Sequence, residues 1–344
     1  MTYCVQGLNA SIMNAMVGLS SVPIEAAGLL ITDWCPARCR HCYVSAGPDG
    51  GAWMTPAAAE SHLAALARLR VPTEGIHIGG GEPFGNFDLL LAIVRTARKA
   101  GLAGIGYVET SGFWAESEDL IRKRLTALSE AGMQKLSISA DPYHQEFVPP
   151  DRVRLLHAVA IDVLGLRGVR ARRWRWLQAP EDVAAMPESE RLEFFRGFLR
   201  QYPERLNGRA AECLAPLADR CPAQDLPAED CRAPLLESKH VHVDPDGWVV
   251  PGTCAGIATF RATPQRPLDR GLLAWQWEKS PLVAWLVEKG PRGLLQVAEA
   301  RGFQRDPAGY AGKCHLCWSI RKYLAGIGAS EKELQPRGVY ALPA

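Results

Sequence analysis

The chain has 344 residues, of which 47% are hydrophobic and 22% are charged, as in an ordinary soluble globular protein. Its net charge of +2 gives no overall field that would favour nucleic acid or anionic lipid, and no apolar run is long enough to span a membrane. Residues 1–25 lack the basic leader of a signal peptide. The ten cysteines cluster at metal-ligand spacings, so we expect a reducing, cytoplasmic location rather than secreted disulfides.

Strands and helices are expected to alternate along the first half of the chain. The expected strands are Leu29–Thr32, Gly75–Ile78, Ile105–Thr110, Lys135–Ser139, Val169–Leu177 and Lys239–Val243. The expected helices are Thr55–Leu69, Phe87–Ala100, Ser117–Ala131 and Asp151–Leu164. This alternation predicts an α/β fold with a parallel sheet, as a barrel, a partial barrel or a doubly wound sheet. In each case a functional site is expected at the carboxyl ends of the strands.

Two motifs follow the first two strands. Cys35, Cys39 and Cys42 have the spacing C-x3-C-x2-C, and three thiolates at this spacing can each bind one iron of a [4Fe–4S] cluster. The fourth iron is then free to bind another molecule. The segment Gly79–Pro83 adds glycines that let a ligand approach the backbone, and Glu82 can accept a hydrogen bond from an ammonium group. A zinc knuckle or a structural cluster is the alternative.

This pair of motifs resembles the radical S-adenosylmethionine superfamily. The resemblance implies a partial (β/α)6 barrel that resembles a TIM barrel. It also implies that S-adenosylmethionine binds the open iron and is cleaved to a 5′-deoxyadenosyl radical, with a flavodoxin- or ferredoxin-type protein as electron donor. The cofactor-binding residues that it implies are Tyr43, Gly80, Gly81, Glu82, Pro83, Ser111, Ser139, Asp141 and Arg173.

Alternatives remain for several residues at the strand ends. Ser111 can simply cap a turn, and Arg173 can belong to a solvated edge strand. Tyr143 and His144 can contact substrate or can lie in a plain surface loop. The interleaved arginines and tryptophans of residues 170–176 also resemble a nucleic-acid surface, although the edge-strand interpretation is simpler.

A second group of cysteines surrounds a predicted β-hairpin at residues 239–251. Cys231 precedes the hairpin, Cys254 follows it, and Cys314 and Cys317 form a distant C-x2-C pair. Four thiolates suit a second [4Fe–4S] cluster, and a zinc site is the alternative. The arrangement resembles the twitch or SPASM auxiliary-cluster domain. We therefore expect an extension at 1–27, a partial barrel at 28–205 and an auxiliary-cluster domain at 206–344.

Three cysteines have no place in these groups. Cys4 is taken as incidental. Cys213 and Cys221 are candidate catalytic hydrogen-atom donors, like a cysteine that some radical peptide epimerases use, or they are alternative ligands or buried apolar residues.

The resemblance predicts that the enzyme modifies a ribosomally synthesised peptide, by epimerisation or cross-linking. A dehydrogenase or rearrangement enzyme of small metabolites is the alternative, and a non-catalytic iron–sulfur carrier is the alternative from another class.

Overall fold

The computed structural model of the protein describes residues 24–178 and 181–341. Residues 1–23, which form most of the predicted N-terminal extension and include Cys4, lie outside the described residues. Among the described residues, no helix combines the length and the apolar character needed to cross a membrane.

A single mixed sheet organises the chain. Its strands are β1 (Ala26–Leu30), β2 (Ile76–Gly79), β3 (Tyr107–Thr110), β4 (Leu136–Ser139), β5 (Val169–Arg172), β6 (His240–Val243), β7 (Trp248–Pro251) and β8 (Phe260–Arg261). The order across the sheet is β5-β4-β3-β2-β1-β6-β7-β8. The pairs from β5 to β6 are parallel, and β7 and β8 add antiparallel strands. The predicted parallel α/β sheet is therefore confirmed.

Four of the helices begin at a residue whose side chain caps them. They are α1 (Pro56–Arg68), α2 (Phe87–Lys99), α3 (Glu118–Ala131), α4 (Pro142–Gln145), α5 (Pro150–Leu164), α6 (Arg175–Gln178), α7 (Glu188–Gln201), α8 (Arg209–Cys213), α9 (Leu268–Ala274), α10 (Pro281–Glu299) and α11 (Lys313–Gly326). The side chain of Thr55 accepts a hydrogen bond from Ala58 N, and Ser117 does the same for Leu120 N. The four helices predicted between the first strands are confirmed within a residue or two.

The two faces of the sheet differ in polarity. Ala27, Leu29, Ile76, Ile78 and other apolar strand residues pack with the helices into one buried core. The alternate residues point to the opposite side, because successive strand side chains alternate between faces. That second face carries polar groups such as His77 and Glu109, and it leads to the loops at the carboxyl edge.

The sixth parallel strand lies at an unexpected place. A sequential (β/α)6 barrel puts the sixth strand beside the fifth, but β6 pairs with β1. The physical reason is the composition of the two candidate neighbours. The strand β1 is small and apolar and is almost wholly buried, so it needs a partner on each side. The strand β5 carries the solvent-exposed Arg170 and Arg172 and remains at an edge.

The fifth strand is also shorter than predicted. It ends at Arg172, because Arg173 adopts a left-handed conformation with φ of 59° and a helical turn follows at Arg175. Trp174 stacks on His157 with ring centroids 4.0 Å apart, while Trp176 packs against Phe198. The predicted end of this strand at Leu177 is therefore wrong.

The predicted hairpin at residues 239–251 is confirmed. Val241 pairs with Pro251 and Val243 with Val249, and Gly247 takes a positive φ of 84° in the turn. Val241, Val243 and Val249 belong to the same core as the first five strands. A second core forms around α10 and α11 and includes Cys231 and Cys317. The hairpin thus joins the sheet to the C-terminal part of the chain.

Candidate active site and metal centres

Cys35, Cys39 and Cys42 lie in the loop that leaves the carboxyl end of β1. Cys35 N donates to Gly47 O at 3.0 Å, and Cys42 N donates to Cys39 O at 3.1 Å, so the loop folds back on itself. Burial raises the pKa of Cys35 to about 12, and the charges of Glu82 and Cys42 add to this rise. Burial also raises the pKa of Cys39, and Cys42 and Cys35 add to it. Three neighbouring cysteines that leave β1 in one loop are a donor set that fits an iron–sulfur cluster.

Arg209, which the sequence analysis did not single out, holds this loop from the other half of the chain. It is 7% exposed. Its guanidinium donates to the carbonyls of Cys39, Ser45 and Ala46 at 3.2, 2.9 and 2.7 Å. Its backbone N–H donates to Cys42 O at 3.0 Å. No local pattern marks this arginine, because its partners lie far away in the sequence.

Gly208 lets this contact form. It has a positive φ of 59°, and a Cβ atom there would lie 2.2 Å from Tyr43 O. A side chain at this position would therefore push the segment away from the cysteine loop.

The glycine loop after β2 packs directly against the cysteine loop. Gly81 N donates to Thr32 O at 2.7 Å, and Glu82 N donates to Trp34 O at 2.8 Å. A Cβ atom on Gly81 would lie 2.0 Å from Trp34 O. The glycines thus allow two backbone segments to meet, which joins the predicted cluster loop to the predicted cofactor loop.

Glu82 is turned into the protein and is 1% exposed. Its carboxylate accepts hydrogen bonds from Phe84 N at 3.3 Å, from the Thr110 hydroxyl at 2.9 Å, and from the N–H and hydroxyl of Ser111 at 2.7 and 2.5 Å. Burial raises its pKa, although these hydrogen bonds oppose the rise. Four donors match the acceptor capacity of a carboxylate. In this arrangement Glu82 fixes the Ser111 turn, and its direct contact with a cofactor ammonium stays a prediction.

Asp141 and its neighbours form a polar group behind the cysteine loop. Asp141 caps α4, and its carboxylate lies 2.8 Å from His144 Nδ1 and 3.9 Å from His41 Nε2. Burial alone would raise the pKa of Asp141, but His144 and His41 lower it below its ordinary value. The structure therefore brings Asp141 close to the cluster loop, as the prediction requires.

Tyr143 has a packing role in this structure. It is fully buried, and its ring lies 4.9 Å from those of both His41 and Phe195. Aromatic packing of this kind supports the loop from behind. Contact between Tyr143 and a substrate stays a prediction.

Arg173 already has a carboxylate partner in the chain. Its Nη2 donates to Glu204 Oε1 at 3.1 Å, and its guanidinium lies 4.6 Å from the ring centroid of Tyr202. Ser139 ends β4 and pairs in register with Arg172. Cofactor binding by Arg173 would require Glu204 to release it.

A cavity of about 490 Å³ lies beside the two motif loops. Tyr43 and Gly80 line one side of it, and the hairpin turn at Asp244 and Asp246 lines another. The C-terminal segment 335–341 also contributes to the lining. This volume lies within the range of sites for small molecules.

The four cysteines of the second group line a separate cavity of about 310 Å³. Cys314 and Cys317 lie in the first turn of α11, three residues apart and so on one face of the helix. Cys231 N donates to Leu286 O of α10 at 2.8 Å, and Cys254 N donates to Pro251 O at 3.1 Å at the end of the hairpin. Three separate segments thus bring the predicted ligands into one pocket.

Positive side chains face these thiols. Arg321 Nε lies 3.3 Å from Cys317 Sγ, and Arg205 Nη1 lies 3.6 Å from Cys254 Sγ. Arg321 is 2% exposed and also donates to Ala255 O at 2.8 Å and to the Tyr340 hydroxyl at 2.7 Å. Burial raises the pKa of Cys254 to about 11, while Arg205 and Arg321 oppose this rise. Burial therefore keeps these cysteines protonated near neutral pH, and the two guanidinium groups would stabilise the thiolates that a bound metal centre requires.

Four cysteines in one cavity can hold either a [4Fe–4S] cluster or a tetrahedral zinc ion. The second cluster therefore stays a prediction, with zinc as its alternative.

Cys213 and Cys221 line neither of these two cavities. Cys213 ends α8, where burial raises its pKa while Arg40 and Arg209 oppose the rise. Cys221 pairs with Tyr310 in an isolated bridge and packs against the second core. Their role as hydrogen-atom donors stays a prediction.

The site of Cys35, Cys39 and Cys42 is called the first cysteine pocket below, and the site of the other four cysteines is called the second. Comparison with known proteins bears on the first. Residues 29–178 match the family model of the Radical SAM superfamily. GTP 3',8-cyclase of Aquifex aeolicus (strain VF5) is 28% identical over 134 residues, or 37% of this chain and 38% of that protein. The crystal structure of BtrN in complex with AdoMet and 2-DOIA aligns with a TM-score of 0.40 and 15% identity, over 78% of this chain and 89% of that one. Residues 29–178, which contain the cysteine loop, the glycine loop, the end of β1 and the strands β2 to β5, are a radical SAM superfamily domain.

Proposed function

We propose that the chain is a radical SAM enzyme that cleaves S-adenosylmethionine reductively and removes a hydrogen atom from a small polar substrate. The family of residues 29–178 implies a [4Fe–4S] cluster and S-adenosylmethionine, which together supply a carbon-centred radical once the cluster is reduced. One observation carries the proposal. The cysteine loop and the glycine loop are held together by backbone hydrogen bonds, and both reach the 490 Å³ cavity.

The residues of this chain would share the work as follows. Cys35, Cys39 and Cys42 hold the cluster, and Arg209 fixes the shape of their loop. Tyr43 and Gly80 present the cofactor side of the cavity, because both line it. Ser111, Ser139 and Asp141 stay candidates for polar contacts with the cofactor.

A second [4Fe–4S] cluster would be held by Cys231, Cys254, Cys314 and Cys317. The cavity that the four cysteines share supports this assignment. Cys254 lines the second cavity, and its neighbour Ala255 lines the main cavity, so the two are adjacent. A substrate that loses a hydrogen atom and then an electron and a proton is oxidised by two electrons. A cluster held by these four cysteines would supply the oxidant that accepts that electron.

The lining of the main cavity suggests the chemistry of the substrate. Arg38 pairs with Asp49, and Arg209 is committed to three carbonyls, so these cations are already satisfied. Asp244 and Asp246 at the hairpin turn also line the cavity, and Asp244 Oδ1 already accepts hydrogen bonds from Asp246 N and Trp248 N at 3.0 and 2.7 Å. The second oxygen of Asp244 and the carboxylate of Asp246 remain for a ligand. Burial raises the pKa of Asp244 to about 7, and Asp246 adds to the rise. These carboxyl groups favour a small molecule that offers hydroxyl or amine groups.

Modification of a peptide stays a prediction from the resemblance. The same cavity must hold the cofactor as well as the substrate, which leaves little of its 490 Å³ for a peptide. The small-molecule reading is therefore the stronger of the two.

The first test measures 5′-deoxyadenosine after anaerobic reconstitution with iron and sulfide and reduction with dithionite. We expect the parent protein to form it from S-adenosylmethionine, and Cys39→Ser to lower its formation at least about 100-fold, because two thiolates hold the cluster poorly. Cys213→Ser is the matched control, since Cys213 lies outside the C-x3-C-x2-C loop, and its formation of 5′-deoxyadenosine should equal that of the parent. Parent protein that neither binds nor cleaves the cofactor would refute the proposal.

A second measurement separates the two substrate classes. A cell extract is separated by molecular mass into components below and above about 1 kDa. Each fraction is then tested for stimulation of 5′-deoxyadenosine formation. We expect the small-molecule fraction to stimulate after protease treatment. Stimulation by the larger fraction alone, lost on protease treatment, would instead establish a peptide substrate.

A further inference from the structure

Three histidines meet on the polar face of the sheet. His77 lies on β2, and His240 and His242 lie on β6, with β1 between the two strands. One ligand atom from each lies within 4.8 Å of the other two. The ring centroids of His77 are 5.3 Å from those of both His240 and His242, which are 4.4 Å from each other.

Gly28 is the reason that these rings can meet across β1. It is paired in register with His77 on one side and with His242 on the other. A Cβ atom there would lie 2.4 Å from His77 Nε2 and 2.4 Å from His242 Cδ2. Glycine weakens a strand interior, so its position here points to a close approach that the fold requires. Any larger residue would separate the two imidazoles.

The hydrogen bonding of the cluster is incomplete. His77 and His242 are each 3% exposed. His77 Nδ1 and His240 Nε2 are buried without a hydrogen-bond partner among the described residues. His242 Nδ1 donates to Gly252 O at 2.6 Å, which fixes its tautomer and leaves Nε2 with a free lone pair. Each unpartnered buried polar atom costs about 1–3 kcal/mol, so a cluster of this kind calls for a ligand.

The protonation state of the cluster also suits metal binding. Burial lowers the pKa of His242 to about 3, and His240 adds to the effect. Burial lowers the pKa of His77 and of His240 in the same way. The three imidazoles are therefore neutral near pH 7, and the neutral imidazole is the form that binds a metal ion.

We propose that His77, His240 and His242 bind a divalent transition-metal ion of the zinc class, at a site separate from the cysteine pockets. Nitrogens at about 2.0–2.1 Å from a tetrahedral zinc lie about 3.4 Å apart, so small ring movements close the site. The His242–Gly252 hydrogen bond is the usual outer contact that orients a metal-binding histidine. Three ligands leave a fourth place for water or another oxygen donor, and His242 also lines the main cavity.

The test uses protein whose cysteine pockets have been filled with iron and sulfide under anaerobic conditions, so that thiols do not compete. Zinc is added, excess is removed by gel filtration, and zinc and iron are measured together. We expect the parent to retain about one zinc per chain, and His240→Gln to bind it at least about tenfold more weakly. His157→Gln is the matched control, because His157 stacks on Trp174 elsewhere in the fold, and it should retain zinc like the parent.

Two further measurements keep the proposal refutable if a variant folds poorly. X-ray absorption at the zinc edge of the parent should show nitrogen ligands without sulfur. Gly28→Ala keeps all three imidazoles and yet should lose zinc, because the added Cβ separates them. Parent protein that retains no zinc, zinc bound only by sulfur, or equal zinc in parent and folded His240→Gln would overturn the proposal. None of these measurements depends on cleavage of S-adenosylmethionine. A negative zinc result would therefore leave the proposed reaction untouched, and the reverse also holds.

Discussion

The two cysteine pockets use the same thiol chemistry but are built in opposite ways. Cys35, Cys39 and Cys42 come from one continuous loop after β1, whereas the second pocket draws its cysteines from three segments. The contiguous loop has its spacing fixed by the chain and needs a distant residue, Arg209, only to hold its shape. The dispersed pocket exists only once the hairpin, α10 and α11 have docked. We infer that the first pocket depends on a clamp and the second on the fold itself.

The arginines of the two pockets show the same contrast. Arg209 donates to carbonyls of the cysteine loop, whereas Arg321 lies 3.3 Å from the sulfur of Cys317 itself. One arginine acts on backbone and the other on a ligand atom. Substitutions that affect only one pocket will therefore sharpen the comparison.

The largest expected effect comes from Cys314→Ser. Loss of one thiolate should remove most of the iron of the second pocket, about half of the total, because two equal clusters are proposed. Formation of 5′-deoxyadenosine should continue at a reduced rate, while substrate product disappears. Iron analysis and product analysis of the same sample give the answer. If iron and turnover equal those of the parent, the second pocket holds no cluster.

A smaller effect is expected from Arg209→Met. The variant leaves three buried carbonyls without their charged donor, and each such hydrogen bond contributes about 1.5–3 kcal/mol. We expect the first cluster to be lost several-fold faster on exposure to a chelator, followed by its absorbance. Arg205→Met is the matched control, because Arg205 is close in sequence but contacts Cys254 in the second pocket. Equal loss of iron in the two variants would contradict a separate clamp on the cysteine loop.

The smallest effect on iron is expected from Arg321→Met, because this variant keeps all seven cysteines that are proposed as cluster ligands. It removes the donor to Cys317, Ala255 and Tyr340, and we expect a loss of about 2–4 kcal/mol in the free energy of unfolding. Thermal unfolding of the iron-loaded protein would measure this loss. The initial rate of 5′-deoxyadenosine formation should stay within about twofold of the parent, because the first pocket is intact. A selective loss of that rate with unchanged stability would show that Arg321 serves the first pocket instead.

Local pattern predicted much of this molecule. The helices are marked by caps such as Thr55 and Ser117, and the hairpin is marked by its turn with Gly247. The cysteine loop is likewise a local motif. All of these depend on residues that are neighbours in the chain, which is why a single sequence contains them.

Long-range contacts explain what the sequence did not predict. The pairing of β6 with β1, the clamp by Arg209 and the meeting of His77 with His242 each join residues far apart in the chain. The wrong end of β5 has the same cause, because Trp176 turns inward to pack against Phe198 of α7. For Glu82, the sequence predicted the motif but not the four hydrogen bonds that the carboxylate accepts from the protein.

The short stretch from Arg205 to Arg209 touches both pockets. On the side of the second pocket, Arg205 faces Cys254 and the amide of Asn207 donates to Thr253 O at 2.8 Å. On the other side, Gly208 and Arg209 pack against the cysteine loop. A single residue inserted in this stretch would displace the contacts with one pocket relative to the contacts with the other. Neither cysteine pocket can therefore be enlarged or moved independently. A redesign of one pocket must also preserve the contacts that Arg205–Arg209 makes with the other.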